Sequence, residues 1–473
     1  AAEGSVVEQS LRPRDRGLAC AWHGRSLLRV RAGWQAQAEP SSLAPVMGPL
    51  LIGNGAGFSG DRLDAAEPVV RTLIARGLPA AMTFETLAER TLALGVLARE
   101  TDPAAGFEPA LLALLRPVLA LCLSAGVPIV GNFGAANPRG AAAAIARLAA
   151  GLGLAPPRIA VVEGDDVRDV LDDPRVVWEG GARPARPIIA ANAYLGAFPI
   201  AEALRAGAEI VVTGRIADPA LALGPLIAHF GWREHDLDAL AAGTLAGHLL
   251  ECGAQVTGGY FGDPGIKDVP APEAIGFPVA EVTADGTITV TKAETPGGLV
   301  DRRSVTEQIL YEVHDPAAYL TPDVTLDITG VTVAERARDT VVVRGARGHA
   351  RPPTLKATVS TEGGFLGEGE ISYAGPNALA RARLAAGTLR ARVAGLPVRP
   401  RIDLLGLQAV FDSDEAARGA PAPPDGEVRV RLAALAGQRE AAEAAAREVL
   451  SLYCCGPAGG GGVRTAVTRR GAT

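Results

Sequence analysis

The sequence is poor in aromatic residues, cysteine and basic charge, and each shortage excludes a class of protein. Only 4% of the 473 residues are aromatic, too few for the stacking platforms that bind single-stranded nucleic acid. A formal net charge of −6 offers no basic surface for DNA or RNA. The five cysteines include no CxxC pair, so they indicate neither a disulfide framework nor a zinc site. We therefore expect a cytoplasmic protein that binds no nucleic acid.

Long apolar runs and metal-binding spacings are also lacking. The most apolar stretch, residues 109–125, is interrupted by Arg116 and Pro117, which favours a buried helix over a membrane span. The six histidines show no HExxH-type spacing, so no metal site is expected. Residues 1–45 have no apolar core behind their arginines and no periodicity, and we interpret them as a weakly ordered extension.

From residue 46 to about residue 255, short apolar runs alternate with helical segments. The runs are continuously apolar, which is typical of parallel strands that are buried on both faces. The predicted strands cover residues 49–52, 79–84, 127–130, 159–162, 188–190 and 209–212. Residues 46–255 are therefore predicted to form an α/β domain with a mostly parallel, doubly wound, Rossmann-like sheet.

The composition changes after residue 255, where glycine and proline crowd residues 258–298. Strand-like residues flank Asp285 and Gly286, which predicts a β-hairpin. We predict that residues 256–455 form a smaller α+β domain and that residues 456–473 form a glycine-rich C-terminal tail.

Small, amide and charged residues follow the predicted strands at their carboxyl ends, where open parallel sheets bind ligands. The candidate binding residues from these loops are Gly55, Gly57, Gly60, Asn132, Asn137, Arg139, Asn192 and Arg215. Glu85 and Asp218 are the candidate general acid or base in a closed cleft. Turn formation alone would also place Gly and Asn at strand ends, so this structural interpretation stays open.

The pattern Gly55-x-Gly57-x-x-Gly60 lies between a strand and a helix, the context in which glycines approach a dinucleotide phosphate. Asp61 argues against an anion there, because it would repel the phosphate. Asn137 has an alternative role as a helix cap. Arg215 fits either a bidentate carboxylate clamp or a salt bridge with Asp218.

Only three of the 46 basic residues are lysines, namely Lys267, Lys292 and Lys356. A lysine can bind phosphate as a point charge or, when desolvated, act as a base. Lys267 and Lys292 lie in glycine-rich loops, so we predict Lys267 as a binding residue and Lys292 as a catalytic residue. Lys356 lies outside these loops, and chance survival of three lysine codons is the alternative.

Several long motifs resemble the acyclic terpene utilisation, or AtuA-like, family over residues 47–468. They are IGNGAGF (52–58), NFGAANP (132–138), GRIADP (214–219), TGGYF (257–261), GFPVAEV (276–282), TPGGLV (295–300), EQILYE (307–312), DP (315–316) with PDV (322–324), and GPAGGGG (456–462). The family is named after clusters that degrade citronellol and geraniol as branched acyl-CoA thioesters.

The resemblance implies a cytoplasmic catabolic enzyme that acts on a small carboxylate or branched acyl-CoA by a hydro-lyase, isomerase or C–C lyase step. No cofactor is evident, although the strand-end loops leave room for a nucleotide or CoA moiety. Because relatives often carry a further small domain, we expect a small partner subunit in trans, and we expect a homo-oligomer. The alternatives are a non-catalytic large subunit that requires this partner and a nucleotide-dependent oxidoreductase.

Overall fold

A computed structural model describes residues 6–9, 19–23, 48–179, 181–407, 409 and 426–472. The chain divides into two compact units, with unit 1 ending at Ser360 and unit 2 covering Thr361–Ala472. The predicted boundary at residues 255/256 is therefore not confirmed. Most of the predicted N-terminal extension lies outside the described residues, which include only two strands of it.

The strands that begin in unit 1 are listed in chain order. They are β1 (Val6–Gln9), β2 (Ala19–His23), β3 (Leu50–Asn54), β4 (Ala80–Phe84), β5 (Ile129–Gly131), β6 (Ile159–Glu163), β7 (Val176–Trp178), β8 (Ile188–Ala193), β9 (Ile210–Thr213), β10 (Pro278–Val282), β11 (Ile288–Lys292), β12 (Tyr319–Leu320), β13 (Thr325–Asp327), β14 (Thr332–Ala337), β15 (Thr340–Arg344), β16 (Arg347–His349) and β17 (Leu355–Ala374). The last strand, β17, continues into unit 2.

The helices of unit 1 are α1 (Ala66–Arg76), α2 (Glu89–Thr101), α3 (Leu111–Leu115), α4 (Leu119–Ala125), α5 (Pro138–Gly151), α6 (Phe198–Arg205), α7 (Ala220–Phe230), α8 (Leu237–Glu251) and α9 (Arg302–Leu310). Short 3-10 turns cover Arg168–Val170, Gly253–Thr257 and Pro272–Ala274. Across the described ranges, no helix has the length and apolarity that a membrane crossing requires.

A ten-stranded mixed sheet with a parallel centre organises unit 1. Its order is β14-β15-β11-β10-β3-β4-β5-β9-β6-β2, in which β3, β4, β5, β9 and β6 run parallel. The flanking strands are antiparallel, and β10 and β11 form the hairpin predicted around Asp285. The α/β class with a parallel centre is confirmed, whereas the Rossmann-like order, in which the chain winds in two directions from the middle, is not.

One predicted strand of this sheet belongs elsewhere. The run at residues 188–190 becomes β8, which pairs with β17 rather than with the parallel strands. Its apolar composition resembles that of the sheet strands, but Ala191 and Ala193 pack in a separate small cluster with Val359. An apolar sequence indicates that a strand is buried, but it does not indicate which sheet the strand joins.

Both faces of the parallel centre are covered by helices, which explains the continuously apolar strands. On one face, Ile52 and Ala160 pack into a core with α6, α7 and α8. On the other face, Leu51 and Val161 pack with α1, α3, α4 and α5. Because neither face of these strands meets water, the strand ends are favourable places for polar side chains to gather.

Unit 2 is a small antiparallel α+β fold. Its further elements are α10 (Ala378–Val393), β18 (Val398–Leu405), β19 (Glu427–Ala436), α11 (Arg439–Cys455) and β20 (Gly460–Ala472). The strand order is β18-β19-β17-β20, and both helices contribute to one apolar core. This order is the β-α-β-β-α-β arrangement of ferredoxin-like folds. Most of the predicted C-terminal tail is thus strand β20.

The loop after β3 contacts the backbone at the end of α8, and this contact requires glycine at position 57. A Cβ atom on Gly57 would lie 2.4 Å from the carbonyl carbon of Cys252 and 2.5 Å from the nitrogen of Gly253. Backbone atoms cannot swing aside as a side chain can. The packing of two elements from distant parts of the chain therefore explains this glycine.

We expect Gly57→Ala to destabilise the protein by about 1–3 kcal/mol, the usual cost of overpacking. Gly48→Ala is the matched control, since a Cβ there meets nothing within 4 Å, and its effect should stay within about 0.5 kcal/mol. Urea denaturation measures both variants. Equal midpoints for Gly57→Ala and wild type would show that the contact is not tight.

Candidate functional site

Polar residues from distant loops converge at the carboxyl ends of the parallel strands. We call Glu85, Asn132, Asp165, Asn192 and Arg215 the strand-end cluster, and all five are buried. Glu85 follows β4, Asn132 follows β5, Asp165 follows β6 and Arg215 follows β9, while Asn192 lies near the end of β8. Four of these residues were predicted from their positions after strands, and Asp165 was not singled out.

The carboxyl group of Glu85 is fixed from two sides. Its Oε1 accepts hydrogen bonds from Asn132 Nδ2 at 2.7 Å and from the backbone nitrogen of Leu87 at 2.9 Å. Asn132 is itself held, because its Oδ1 accepts from the nitrogen of Thr86 at 2.7 Å. Burial raises the pKa of Glu85 to about 7, although Arg215 and Asn132 favour the carboxylate. Glu85 can therefore exchange a proton near neutral pH.

Arg215 lies at the centre of the cluster, with only 1% of its surface exposed. Its guanidinium donates to the carbonyl of Ile216, with Nε at 2.9 Å, and to the carbonyl of Leu87. It also forms an ion pair with Asp218 and stacks 4.5 Å from the ring centre of Tyr194. The predicted alternative, a salt bridge with Asp218, is thus present, and the guanidinium face is covered by an aromatic ring.

Asp165 connects β6 to β8 and β9. One of its oxygens, Oδ2, accepts from Asn192 Nδ2 at 2.7 Å and from the backbone nitrogen of Arg215 at 3.0 Å. Burial raises the pKa of Asp165 to about 6, and these two donors partly offset that rise. Asn192 therefore contacts the other members of the cluster through Asp165.

A cavity of about 560 Å³ adjoins the cluster. Much of its wall is apolar, including Val177, Leu320 and Leu355. The polar lining comprises Glu179, Tyr194, Asp218, His314, Tyr319, Thr321, Thr354 and Lys356. Its size lies within the range of small-molecule pockets. Asp218 lines the cavity and forms an ion pair with Arg215, so it connects the buried guanidinium to the cavity wall.

Tyr194 is anchored inside this wall. Its hydroxyl donates to Glu89 and lies 3.1 Å from Thr358 Oγ1. Burial, with a contribution from Glu89, raises the pKa of Tyr194 to about 12. The ammonium group of Lys356 lies 5.5 Å from the ring centre of Tyr194, and Lys356 makes no ion pair with residues 48–179, 181–407, 409 or 426–470. Lys356 is exposed on the cavity wall and offers a positive charge there.

A second buried acid–base pair lies at the end of α8. His248 Nδ1 and Glu251 Oε1 are 2.9 Å apart, and the other polar atoms of both side chains, Nε2 and Oε2, have no hydrogen-bond partner among the described residues. Burial raises the pKa of Glu251. Burial alone would lower the pKa of His248, but Glu251 together with the backbone of Ile309 and Gln308 raises that pKa above its ordinary value. The negative charge of Glu251 also contributes to the raised pKa of Glu85.

The glycine loop after β3 is hydrogen-bonded internally. The nitrogen of Gly55 donates to Thr83 O at 2.9 Å, that of Ala56 to Asn54 Oδ1 at 3.1 Å, and that of Gly57 to Asp61 Oδ2 at 2.8 Å. These N–H groups already have acceptors, and Gly60 has space around it. The geometry gives Gly55 and Gly57 a structural role, and it does not form an open phosphate cradle.

The remaining predicted residues do not line the cavity. Asn137 caps α5 by accepting from Gly140 N at 3.0 Å, and Arg139 pairs with Glu163 at 2.5 Å. Lys267 pairs with Glu307, and Lys292 donates to the carbonyl of Thr295 at 2.8 Å. The structure therefore brings Lys356, rather than the two lysines of the glycine-rich loops, to the cavity.

The sequence interpretation left six of the functional candidates out of its predicted site: Asp165, Tyr194, His248, Glu251, Tyr319 and Lys356. One sequence pattern could have found the second pair. Beyond Asp238 in the first turn of α8, the polar residues Thr244, His248 and Glu251 recur at i, i+4 and i+7, so they share one helical face. Polar residues repeated on a buried face indicate a role beyond packing.

No group of three or more His, Cys, Asp or Glu side chains within the described ranges is arranged to hold a metal ion. The cavity wall combines hydrogen-bond donors, acceptors and apolar surface, as small-molecule pockets do.

Comparison with known proteins gives one finding. The model of the family described as "Acyclic terpene utilisation family protein AtuA" matches residues 50–472, nearly all of the described chain. Neither the curated proteins nor the solved structures yield a match.

Replacing Glu85 by Gln tests its raised pKa through stability. A group whose pKa rises on folding, here from 4.5 to about 7, stabilises the protein below pH 4.5 and loses that contribution as the pH rises through 7. Glu85→Gln lacks this loss. The difference in unfolding free energy between Glu85→Gln and wild type should therefore rise in favour of the variant from about pH 5 to about pH 8, by up to about 3 kcal/mol.

Urea denaturation at the two pH values provides the measurement. The exposed residue Glu273 supplies the control, and Glu273→Gln should follow wild type at both pH values. A constant difference between Glu85→Gln and wild type would mean that Glu85 titrates as an ordinary carboxyl group.

Proposed function

The chain belongs to the acyclic terpene utilisation family, and on that premise we propose that it is a catabolic enzyme for a small carboxylate or branched acyl-CoA. The proposed reaction is a hydro-lyase, isomerase or C–C lyase step in the cytoplasm. These reaction classes share a requirement, because each moves a proton at or near a carbon activated by a carbonyl group.

The observation that carries the proposal is the make-up of the cavity. Its apolar wall at Val177, Leu320 and Leu355 fits a branched hydrocarbon, while Lys356 supplies a positive charge for a carboxylate or phosphate. Asp218 adds an acid or base on the same wall. An apolar chain, an anionic group and a site of proton transfer are the features of an acyl substrate.

Asp218 is the proposed catalytic acid or base, because it is the predicted catalytic residue that lines the cavity. Arg215 orients its carboxylate through the ion pair. Glu85 lies behind the wall, and the backbone of Leu87 links it to Arg215, since Leu87 N donates to Glu85 and Leu87 O accepts from Arg215. Glu85 is thus connected to Arg215, whose positive charge favours the carboxylate form of Glu85.

Hydride transfer receives less support. Its motif was the glycine loop after β3, and the N–H groups of Gly55, Ala56 and Gly57 already have internal acceptors. A dinucleotide phosphate would have to displace these bonds and approach Asp61.

The proposal predicts that Lys356 contributes to substrate binding, whereas Asp218 contributes to the rate of the chemical step. With 3-methylcrotonyl-CoA in D₂O as the probe, mass spectrometry follows deuterium exchange and addition of water. Asp218→Asn should slow the reaction by about 10²–10⁴-fold, the usual contribution of a general acid or base. Lys356→Gln should weaken binding about tenfold, or about 1.4 kcal/mol, with little change at saturation.

Lys267→Gln is the matched control, because it removes the same charge from a lysine that does not line the cavity. It should leave both affinity and rate unchanged. If wild type neither binds the thioester nor exchanges its protons, or if the two lysine variants behave alike, the proposed site is wrong.

A further inference from the structure

Two tyrosines line the cavity, and their hydroxyl groups differ in one respect. The hydroxyl of Tyr194 is occupied by Glu89 and Thr358. The hydroxyl of Tyr319 makes no hydrogen bond to the part of the chain that the structure describes. Tyr319 therefore has a hydroxyl available for a molecule in the cavity.

The ring of Tyr319 is held in place from behind. Its strand β12 pairs with β13, where Tyr319 lies opposite Leu326. The ring centre lies 5.4 Å from that of His248. His248 is in turn fixed by Glu251 at 2.9 Å, and its backbone oxygen accepts from Gln308 Nε2 at 2.9 Å. A buried, hydrogen-bonded pair thus supports the ring from α8, while the residue itself lines the cavity.

The charges around Tyr319 keep its hydroxyl protonated. Burial raises the pKa of Tyr319 well above its usual value, and the neighbouring acids Glu251 and Glu312 raise it further. Cys252 and Tyr194 act in the same direction. Tyr319 is consequently a neutral donor across the range in which Glu85 gains or loses its proton.

We propose that the Tyr319 hydroxyl donates a hydrogen bond to the carbonyl oxygen of the substrate. This inference rests on the proposed function and specifies it, because it assigns the cavity to a thioester or carboxyl carbonyl. When Asp218 takes up a proton from a carbon conjugated with that carbonyl, such as a γ-methyl group of 3-methylcrotonyl-CoA, the electron pair of the broken C–H bond is delocalised onto the oxygen as a dienolate. A preorganised donor at that oxygen stabilises the charge as it develops.

The stretching frequency of the bound carbonyl tests the assignment directly. The probe is 3-methylcrotonyl-CoA carrying ¹³C at its thioester carbonyl, observed by isotope-edited infrared spectroscopy on the full chain. In Tyr319→Phe we expect the band to shift to higher frequency, because the hydrogen bond that weakens the carbonyl is gone. The rate of proton exchange should fall by about 10²–10³-fold, as on removal of an oxyanion donor.

Tyr260→Phe is the matched control, since Tyr260 is 92% exposed and does not line the cavity. It should leave the band and the rate unchanged. If Tyr319→Phe binds the probe with an unshifted band, at any affinity, the inference is overturned while the proposed function stands. If wild type does not bind the probe, the proposed function fails and this inference fails with it.

Discussion

Burial of the Arg215 guanidinium is the constraint around which the centre of unit 1 is arranged. An arginine cannot lose its proton inside a protein, and burying an unpaired charge costs several kcal/mol. The surrounding chain must therefore supply acceptors. It does so with the carbonyls of Leu87 and Ile216, the carboxylate of Asp218 and the ring of Tyr194. These contacts fix the loops after β4, β8 and β9 relative to one another.

The same buried cation explains the behaviour of the neighbouring acids. Glu85 and Glu251 are both buried, and burial raises the pKa of each, while the charge of Arg215 favours their carboxylates. Among the residues that the structure describes, Arg215 forms its ion pair with Asp218. Burial and the charge of Arg215 thus act in opposite directions on the pKa of Glu85 and on that of Glu251. Arg215 thus pairs with Asp218 on the cavity wall, while its charge also acts on the buried carboxyl group of Glu85.

Sequence reasoning succeeded where it relied on local physics. Continuously apolar runs indicated strands buried on both faces, and the parallel centre confirms that class. Because parallel strands end at one edge, the residues after them converge, and Glu85, Asn132 and Arg215 do lie together. Short-range chemistry also held, as in the Asn137 cap of α5.

The remaining features depend on pairings between distant strands, which no local pattern reports. β8 resembles a strand of the parallel sheet but pairs with β17, and this pairing places Lys356 beside Tyr194. Lys267 and Lys292 were predicted as site residues because they lie in glycine-rich loops, yet neither lines the cavity. Gly57 matched a phosphate-binding motif although the backbone of Cys252 and Gly253 explains it. Close packing against another backbone requires glycine, just as close approach to a ligand does.

Titration of the Glu85 carboxyl group in wild type and in Arg215→Met most directly tests the dependence on Arg215. Carbon-13 NMR of side-chain-labelled glutamate can follow it, with Glu85→Gln to assign the signal. We predict a wild-type midpoint at about 7 and a higher midpoint in Arg215→Met, because the cation that favours the carboxylate is gone. Arg215→Lys, which keeps the charge, should remain closer to wild type. A wild-type midpoint near the ordinary value of 4.5, or an unchanged midpoint in Arg215→Met, would contradict a centre governed by the buried arginine.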